Sequence, residues 1–336
     1  MTEEGKATPF ERTSCAIAAG LLVAVLLLHL VPALLAGFLA SALLRGMARR
    51  LHGERVSHGL ARALAAGLLG LVAVAAVVVI VVLLHAFIRG RLGDVPALLD
   101  AMGDTLARLR GTLERSGLSL PLPAADGSTA AVGAWLKEHA GELRHAGTAG
   151  LRGLVHALLG AVLGVLVFFR APAEAAGPLA SALGERVRRF DESFRSVAKA
   201  QIEISAVNTA LTAAYLFVGL PLFGTRLPLS GTLVAVTFVS GLVPVAGNLV
   251  SNTFVVLVSL GVSPWVALAS LVFLVAVHKL EYVLNAKIVG GRIGAAAWEM
   301  LLAILLFEAA FGIPGVVVAP VVYAWAKGEL RERGLV

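Results

Sequence analysis

Residues 227–278 read LPLSGTLVAVTFVSGLVPVAGNLVSNTFVVLVSLGVSPWVALASLVFLVAVH, 52 residues without one Asp, Glu, Lys or Arg. As one continuous helix this run would extend roughly 78 Å. A bilayer core is about 30 Å thick and takes about 20 residues per crossing. The run is therefore too long for two tidy crossings and too short for three. Its breakers divide it. Pro244 with Gly247 and Asn248 interrupts the first part, and Gly261, Ser263 and Pro264 precede a clean stretch to Leu284. One full crossing plus a broken, hairpin-like segment fits best, and such broken apolar helices are uncommon outside proteins that move solutes.

The rest of the chain has the same character. Of its 336 residues, 58% are hydrophobic and 15% charged, and mean hydropathy is +0.89. A soluble core of this length would not leave several uncharged runs near bilayer length. The single Cys15 excludes an internal disulfide and matches no metal-ligand spacing. Net charge is +7, and the excess lies in loops beside apolar runs. It reads as orientation charge on a protein whose partner is the lipid bilayer, not nucleic acid. Lys6 and Arg12 ahead of an apolar run imitate a signal peptide. Uncharged sequence continues through Leu44, past any ordinary signal core, so the segment is read as a retained anchor.

The expected fold is all-α and polytopic, with about eight membrane segments at 15–30, 31–44, 63–88, 151–169, 201–220, 229–262, 264–284 and 297–327. Pro32 marks a tight hairpin between the first two. Segments 229–262 and 297–327 are broken; with about four residues at each tip, their arms are about 14–15 residues, or about 22 Å. Arms that short read as re-entrant hairpins. The domains follow: 1–88 for three membrane segments, 89–150 for a small helical extracytoplasmic insert, 151–200 for a fourth segment and a cytoplasmic amphipathic helix, 201–327 for the transport core, and 328–336 for a tail. With both termini inside a bacterial inner membrane, 19 Lys and Arg fall on the inside and 9 on the outside. The insert carries a helical seam at Val95, Leu99, Met102, Leu106, Leu109 and Leu113, and the amphipathic helix one at Val187, Phe190, Phe194 and Val197.

Polar residues within the apolar segments are the candidate pathway. Gln201, Ser205, Asn208, Thr212 and Tyr215 recur at helical spacing and form one face. That face serves either interhelical hydrogen bonding or a solute path, since polar groups at membrane depth need a partner. His278, Glu281 and Asn285 lie a turn apart, and Glu281 could bind a cation or exchange a proton. The two tips, Pro244 to Asn248 and Gly312 to Gly315, each stop a helix and free backbone groups. Gly247, Asn248, Asn252, Gly312 and Gly315 are therefore candidates, with Glu308 one turn before the second tip. Glu299 reads as a helix-terminus charge. Segment order suggests two span-plus-hairpin units of inverted topology, the layout of alternating-access transporters.

These residues resemble the autoinducer-2 exporter family of bacterial permeases. The resemblance rests on Gln201 with Asn208, Leu211 and Thr212, then Gly219-Leu220-Pro221; on Gly241 through Gly247 (GLVPVAG); on Lys279-Leu280-Glu281 through Val283-Leu284 to Lys287-Ile288-Val289-Gly290; and on Phe311 through Gly315 (FGIPG) with Ala319-Pro320. It implies a homo-oligomeric, pentameric exporter or ion-coupled transporter without a cofactor, the coupling ion being Na+ or H+. Two cargoes follow from it: a small polar metabolite such as a signalling molecule, or sodium (or lithium) in exchange for protons. A polytopic membrane enzyme is the reading of another class, but no His-Glu-x-x-His, Gly-x-Ser-x-Gly or Asp-rich phosphate motif supports one. A non-transporting assembly protein would rest on the two seams.

Overall fold

The computed structural model describes residues 9–51, 57, 59–71, 104, 115, 138–170, 177–243 and 246–334. Among them the chain is helical throughout, without strands. Four helices are long and apolar enough to cross a bilayer: α1 (Pro9–Leu27), α2 (Val31–Leu51), α4 (Ala140–Phe169) and α5 (Pro178–Ala214) with its continuation to Leu222. A shorter α3 (Gly59–Leu71) lies between α2 and α4 in sequence. Most of 63–88, and the seam from Val95 to Leu113, lie outside the described residues. The final residues of the expected insert belong to α4, which starts at Ala140 and runs unbroken for 30 residues. The end of the expected insert and the crossing expected at 151–169 are thus joined in one helix. Nothing between His145 and Leu151 breaks a helix, since Gly147 and Gly150 alone carry only a weak helix penalty.

The chain divides into two compact units, 1–75 with 148–200 and 286–336, and 76–147 with 201–285. In the first unit α1 and α2 form the expected hairpin. Its tip is a helix stop in which His29 takes a left-handed φ of 57°. Leu30 N–H donates to Val25 O at 2.8 Å and His29 N–H to Leu26 O at 3.2 Å, so the last carbonyls of α1 are satisfied. Pro32 fits the first turn of α2, where no helical N–H partner is lost. The second segment was expected to end at Leu44, but α2 continues to Leu51. Arg45 ends the apolar run without ending the helix, because Asp191 holds its guanidinium at 2.6 Å.

Helices α2 and α4 cross backbone to backbone. A Cβ placed on Gly37 would sit 2.9 Å from Gly160 O, and those placed on Gly160 and Gly164 would overlap the carbonyls of Ala33 and Gly37. This is a small-residue crossing of the kind that packs helices in lipid. Against it, α3 packs Ala65 beside Leu44 and Ala48, and Arg62 lies 5.0 Å over the Phe168 ring.

The first 23 residues of α5 are the amphipathic helix. Phe190, Phe194 and Val197 are buried with Leu26, Val31, Val318, Val321 and Trp325. Val187 departs from the expected seam and is 55% exposed. The second broken segment forms a hairpin of α9 (Ala297–Phe311) and α10 (Ile313–Glu332). Gly312 makes its tip at φ 64° and ψ −149°, a region essentially open only to glycine. Equal arms were expected. Instead α9 is about 22 Å long and α10 about 30 Å, because α10 continues past Lys327 to Glu332 as a largely buried helix of this unit.

In the second unit, α5 continues from Gln201 and widens at Tyr215–Gly219 into a π-turn, in which Leu220 N–H donates to Tyr215 O. Pro221 follows directly and has no N–H to continue the ladder, which favours such a local rearrangement. Helices α6 (Ser230–Gly241) and α7 (Ala246–Leu260) pack as a second hairpin with arms of 12 and 15 residues. At about 18 and 22 Å, both are shorter than a bilayer core. Pro244 and Val245, at its tip, lie outside the described residues. α8 (Pro264–Ile293) begins in this unit. The core joins Leu216 and Leu220 to Leu233, Val255, Val258 and Leu274.

Candidate functional site

About four turns of α5 carry the polar face expected from the sequence, and the structure closes most of it against the α6–α7 hairpin. Gln201 Nε2 donates to Gly241 O at 2.7 Å. One turn on, Ser205 Oγ donates to Phe238 O at 2.7 Å. Asn208 Nδ2 then donates to Asn248 Oδ1 at 2.9 Å, with both amides more than nine-tenths buried. Thr212 is 1% exposed on the same face. Tyr215 OH shares a hydrogen bond with Ser270 Oγ at 2.9 Å, and Ser270 pairs with Ser259 at 2.8 Å. Tyr215 also stacks on Phe273 with ring centroids 4.0 Å apart. From Gln201 to Tyr215 this ladder rises about 21 Å.

Local sequence explains the fit. Gly241 would meet Ser205 Oγ 2.7 Å from any Cβ, and a Cβ on Gly247 would overlap Ser240 O. The two glycines therefore let the hairpin's arms approach each other and α5 at backbone distance. Asn248, one residue after Gly247, is carried into reach of Asn208 by that approach. Asn252 follows a turn later and is half-buried. Every group identified in this ladder is an amide, a hydroxyl or a backbone carbonyl. Such a set can exchange hydrogen bonds with a neutral polar molecule and offers no fixed charge to an ion.

The remaining expected residues fall elsewhere. Glu281 and Asn285 lie on α8, and their side chains are outside the described residues. Glu308, Gly312 and Gly315 belong to the other unit. There Glu308 is exposed, its carbonyl accepts from Gly312 N–H at 2.7 Å, and a Cβ on Gly315 would overlap Phe307 O. Glu299 caps α9 as its position suggested: Oε2 accepts from Ala296 N–H at 2.9 Å, Tyr323 OH at 2.7 Å and Lys327 Nζ at 2.5 Å.

Sequence reasoning missed Ser259 and Ser270, which are fully buried. They are eleven residues apart across the Gly261–Pro264 turn, a signal readable only once that turn is taken as a hairpin. It also missed a buried ion cluster in the first unit. Glu329 Oε2 accepts from Arg186 Nη1 and, at 3.1 Å, from Arg189 Nη1. Asp191 bridges Arg45 and Arg195, each at 2.6 Å. On the exposed face of the same helix, hydrogen bonds from Arg188 and then Arg189 hold the Glu185 carboxyl down at about 2. Among the described residues no group of His, Cys, Asp and Glu is arranged to hold a metal ion.

A family model described as AI-2E family transporter matches residues 15–331. No curated protein and no solved structure matches the chain significantly.

Proposed function

The chain belongs to the AI-2E transporter family, and from that premise we propose that it moves a small, uncharged polar metabolite across a bacterial inner membrane by alternating access. The observation that carries this reading is the ladder from Gln201 to Ser259. Hydrogen-bonding groups that pair with one another when α5 and the α6–α7 hairpin are closed become available to a solute when the two part. A polar cargo would replace these bonds one for one, so opening need not leave buried donors and acceptors unmet. In this reading both short hairpins are re-entrant, both termini are cytoplasmic, and the exposed apolar flanks of α4 face lipid or further copies of the chain.

The test is flux into vesicles containing the purified protein, against a panel of labelled small polar metabolites under proton and sodium gradients. Asn248→Ala and Asn208→Ala leave a buried amide without its partner, at about 1–3 kcal/mol. Each is expected to lower flux roughly ten- to hundredfold while the oligomer, measured by light scattering, stays intact. Absence of solute movement under any gradient would overturn the proposal. Equal loss of assembly in the Asn variants would reduce the ladder to a structural clasp. Sodium–proton exchange is the second reading, favoured by the exposed acid one turn before the Gly312 tip. Glu308→Gln should then abolish the pH dependence of flux; unchanged pH dependence dismisses that reading.

A further inference from the structure

The α6–α7 hairpin is held in two different ways along its length. Its base, where α6 begins and α7 ends, belongs to the apolar core of the second unit. There Leu233 of α6 and Val255 and Val258 of α7 are buried with Leu216 and Leu220 of α5 and Leu274 of α8. A hydroxyl chain ties the same level together, from Tyr215 of α5 through Ser270 of α8 to Ser259 of α7. Toward the tip the packing changes. Among the described residues from 235 to 254, the buried ones are Thr237, Gly241, Gly247, Asn248 and Ser251 and Ser251 and Thr237 bond within their own helices. No large apolar side chain is buried there. Three hydrogen bonds, from Gln201, Ser205 and Asn208, join this half to α5.

We propose that the tip-side turns of the hairpin, 237–241 of α6 and 247–251 of α7, are the gate of the transport site. They swing from α5 about a hinge at the level of Tyr215, Ser270 and Ser259, and the path opens at the Gln201 end. The inference rests on the transport reading above and adds to it which part moves and which stays. The two kinds of contact differ in what opening costs. Water or cargo replaces the hydrogen bonds at the tip one for one. Parting the base would instead wet its buried leucines and valines, for which water offers no compensation. The tip moves as one piece, because Gly247 and Ser240 bring its arms together backbone to backbone. Both arms leave the base through turns that can absorb the rotation: 223–229 before α6, with Gly224 at φ 74° and Leu229 at φ 60°, and 261–263 after α7. The π-turn of α5, Tyr215–Gly219, lies at the hinge itself, and such turns recur at functional sites.

The test uses the full chain in lipid vesicles with Cys15→Ser, which removes its one cysteine, and either Ser205→Cys or Ser259→Cys. The two serines are 1% and 0% exposed, so opening alone admits N-ethylmaleimide to them. Each labelling rate, read by mass spectrometry, is divided by that of the same variant in denaturant. The thiol of Ser205→Cys is expected to react at least tenfold faster than that of Ser259→Cys. Equal rates, or a faster Ser259→Cys, overturn the hinge whatever the cargo. A second variant locks the tip. A Cβ on Gly241 lies 3.3 Å from the Ser205 Cβ, close to the separation of about 3.8 Å in a disulfide. Oxidising the double variant Ser205→Cys with Gly241→Cys should lower flux at least tenfold from its reduced level. Flux that survives the lock overturns the gate and leaves the cargo reading standing. Absence of flux in the unsubstituted protein overturns the cargo reading instead. In that case, or if the double variant does not fold, the labelling contrast decides the hinge alone.

Discussion

Gly160→Ala is expected to prevent α2 and α4 from docking and to lower the thermal stability of the detergent-purified protein more than any other single methyl addition to α4. The added Cβ would overlap the carbonyl, carbonyl carbon and Cα of Ala33, all backbone atoms that no side-chain rotation can move aside. Relief requires the two helices to separate along their contact, which also lifts Gly37 off Gly164. Overpacking of this kind costs about 1–3 kcal/mol even where side chains can adjust; against rigid backbone the upper end or beyond is expected. In lipid there is no hydrophobic gain between helices to compensate, since close backbone packing is itself the attraction. Gly150→Ala is the control. A Cβ there meets nothing within 4 Å, and alanine improves helix propensity by up to about 1 kcal/mol. The two substitutions should therefore shift the melting temperature in opposite directions. Equal shifts would dismiss the crossing as the cause.

Removing the Glu329 carboxylate should be comparably damaging, for an electrostatic reason. Glu329→Ala leaves Arg186, which is buried to the same degree, without the partner that neutralises it. Breaking one side of a buried ion pair typically costs about 3–5 kcal/mol, because the remaining charge stays in a medium that does not solvate it. The double replacement Arg186→Met with Glu329→Met removes both charges and should recover most of the loss. The stabilities of the two single variants and the double variant, measured by thermal unfolding, form the cycle that checks this. A double variant no better than the single would mean that the pair acts through geometry that methionine cannot reproduce. On the exposed side of the same helix, Arg188→Ala should change little, since Arg188 and its partners Glu185 and Glu192 are open to solvent.

The legibility of the chain differed between its parts. The uncharged run at 227–278 forces helices, because only helices satisfy their own backbone where water is absent. Its glycines and prolines located the hairpin tips to within a few residues. The polar face from Gln201 to Tyr215 was equally visible, because helical spacing alone aligns its members. Its partners were not. Neither Phe238 O nor Gly241 O is marked by residue type, since a carbonyl's availability depends on which backbone comes near it. Arg186 adjoins the apolar seam of α5 and is a charged residue, yet it is buried. The sequence places it on a helix face but does not say that α10 covers that face. Likewise α2 was ended at Arg45, where hydropathy stops but the helix does not, since Asp191 lies 146 residues away in sequence.

What the sequence alone determined is therefore the class of protein, the helical state of its described segments, the breaks at Gly312 and near Gly247, and one polar stripe. These depend on local backbone preference and on the incompatibility of bare peptide groups with hydrocarbon. Only the tertiary structure decided that Gln201, Ser205 and Asn208 of the stripe pair with a hairpin, that the two hairpins belong to different compact units, and that α10 buries Trp325 and Glu329 against α5. Those outcomes depend on contacts between residues 33 to 143 positions apart, whose partners are chosen by shape and by mutual satisfaction of hydrogen bonds. Residue type does not encode that choice.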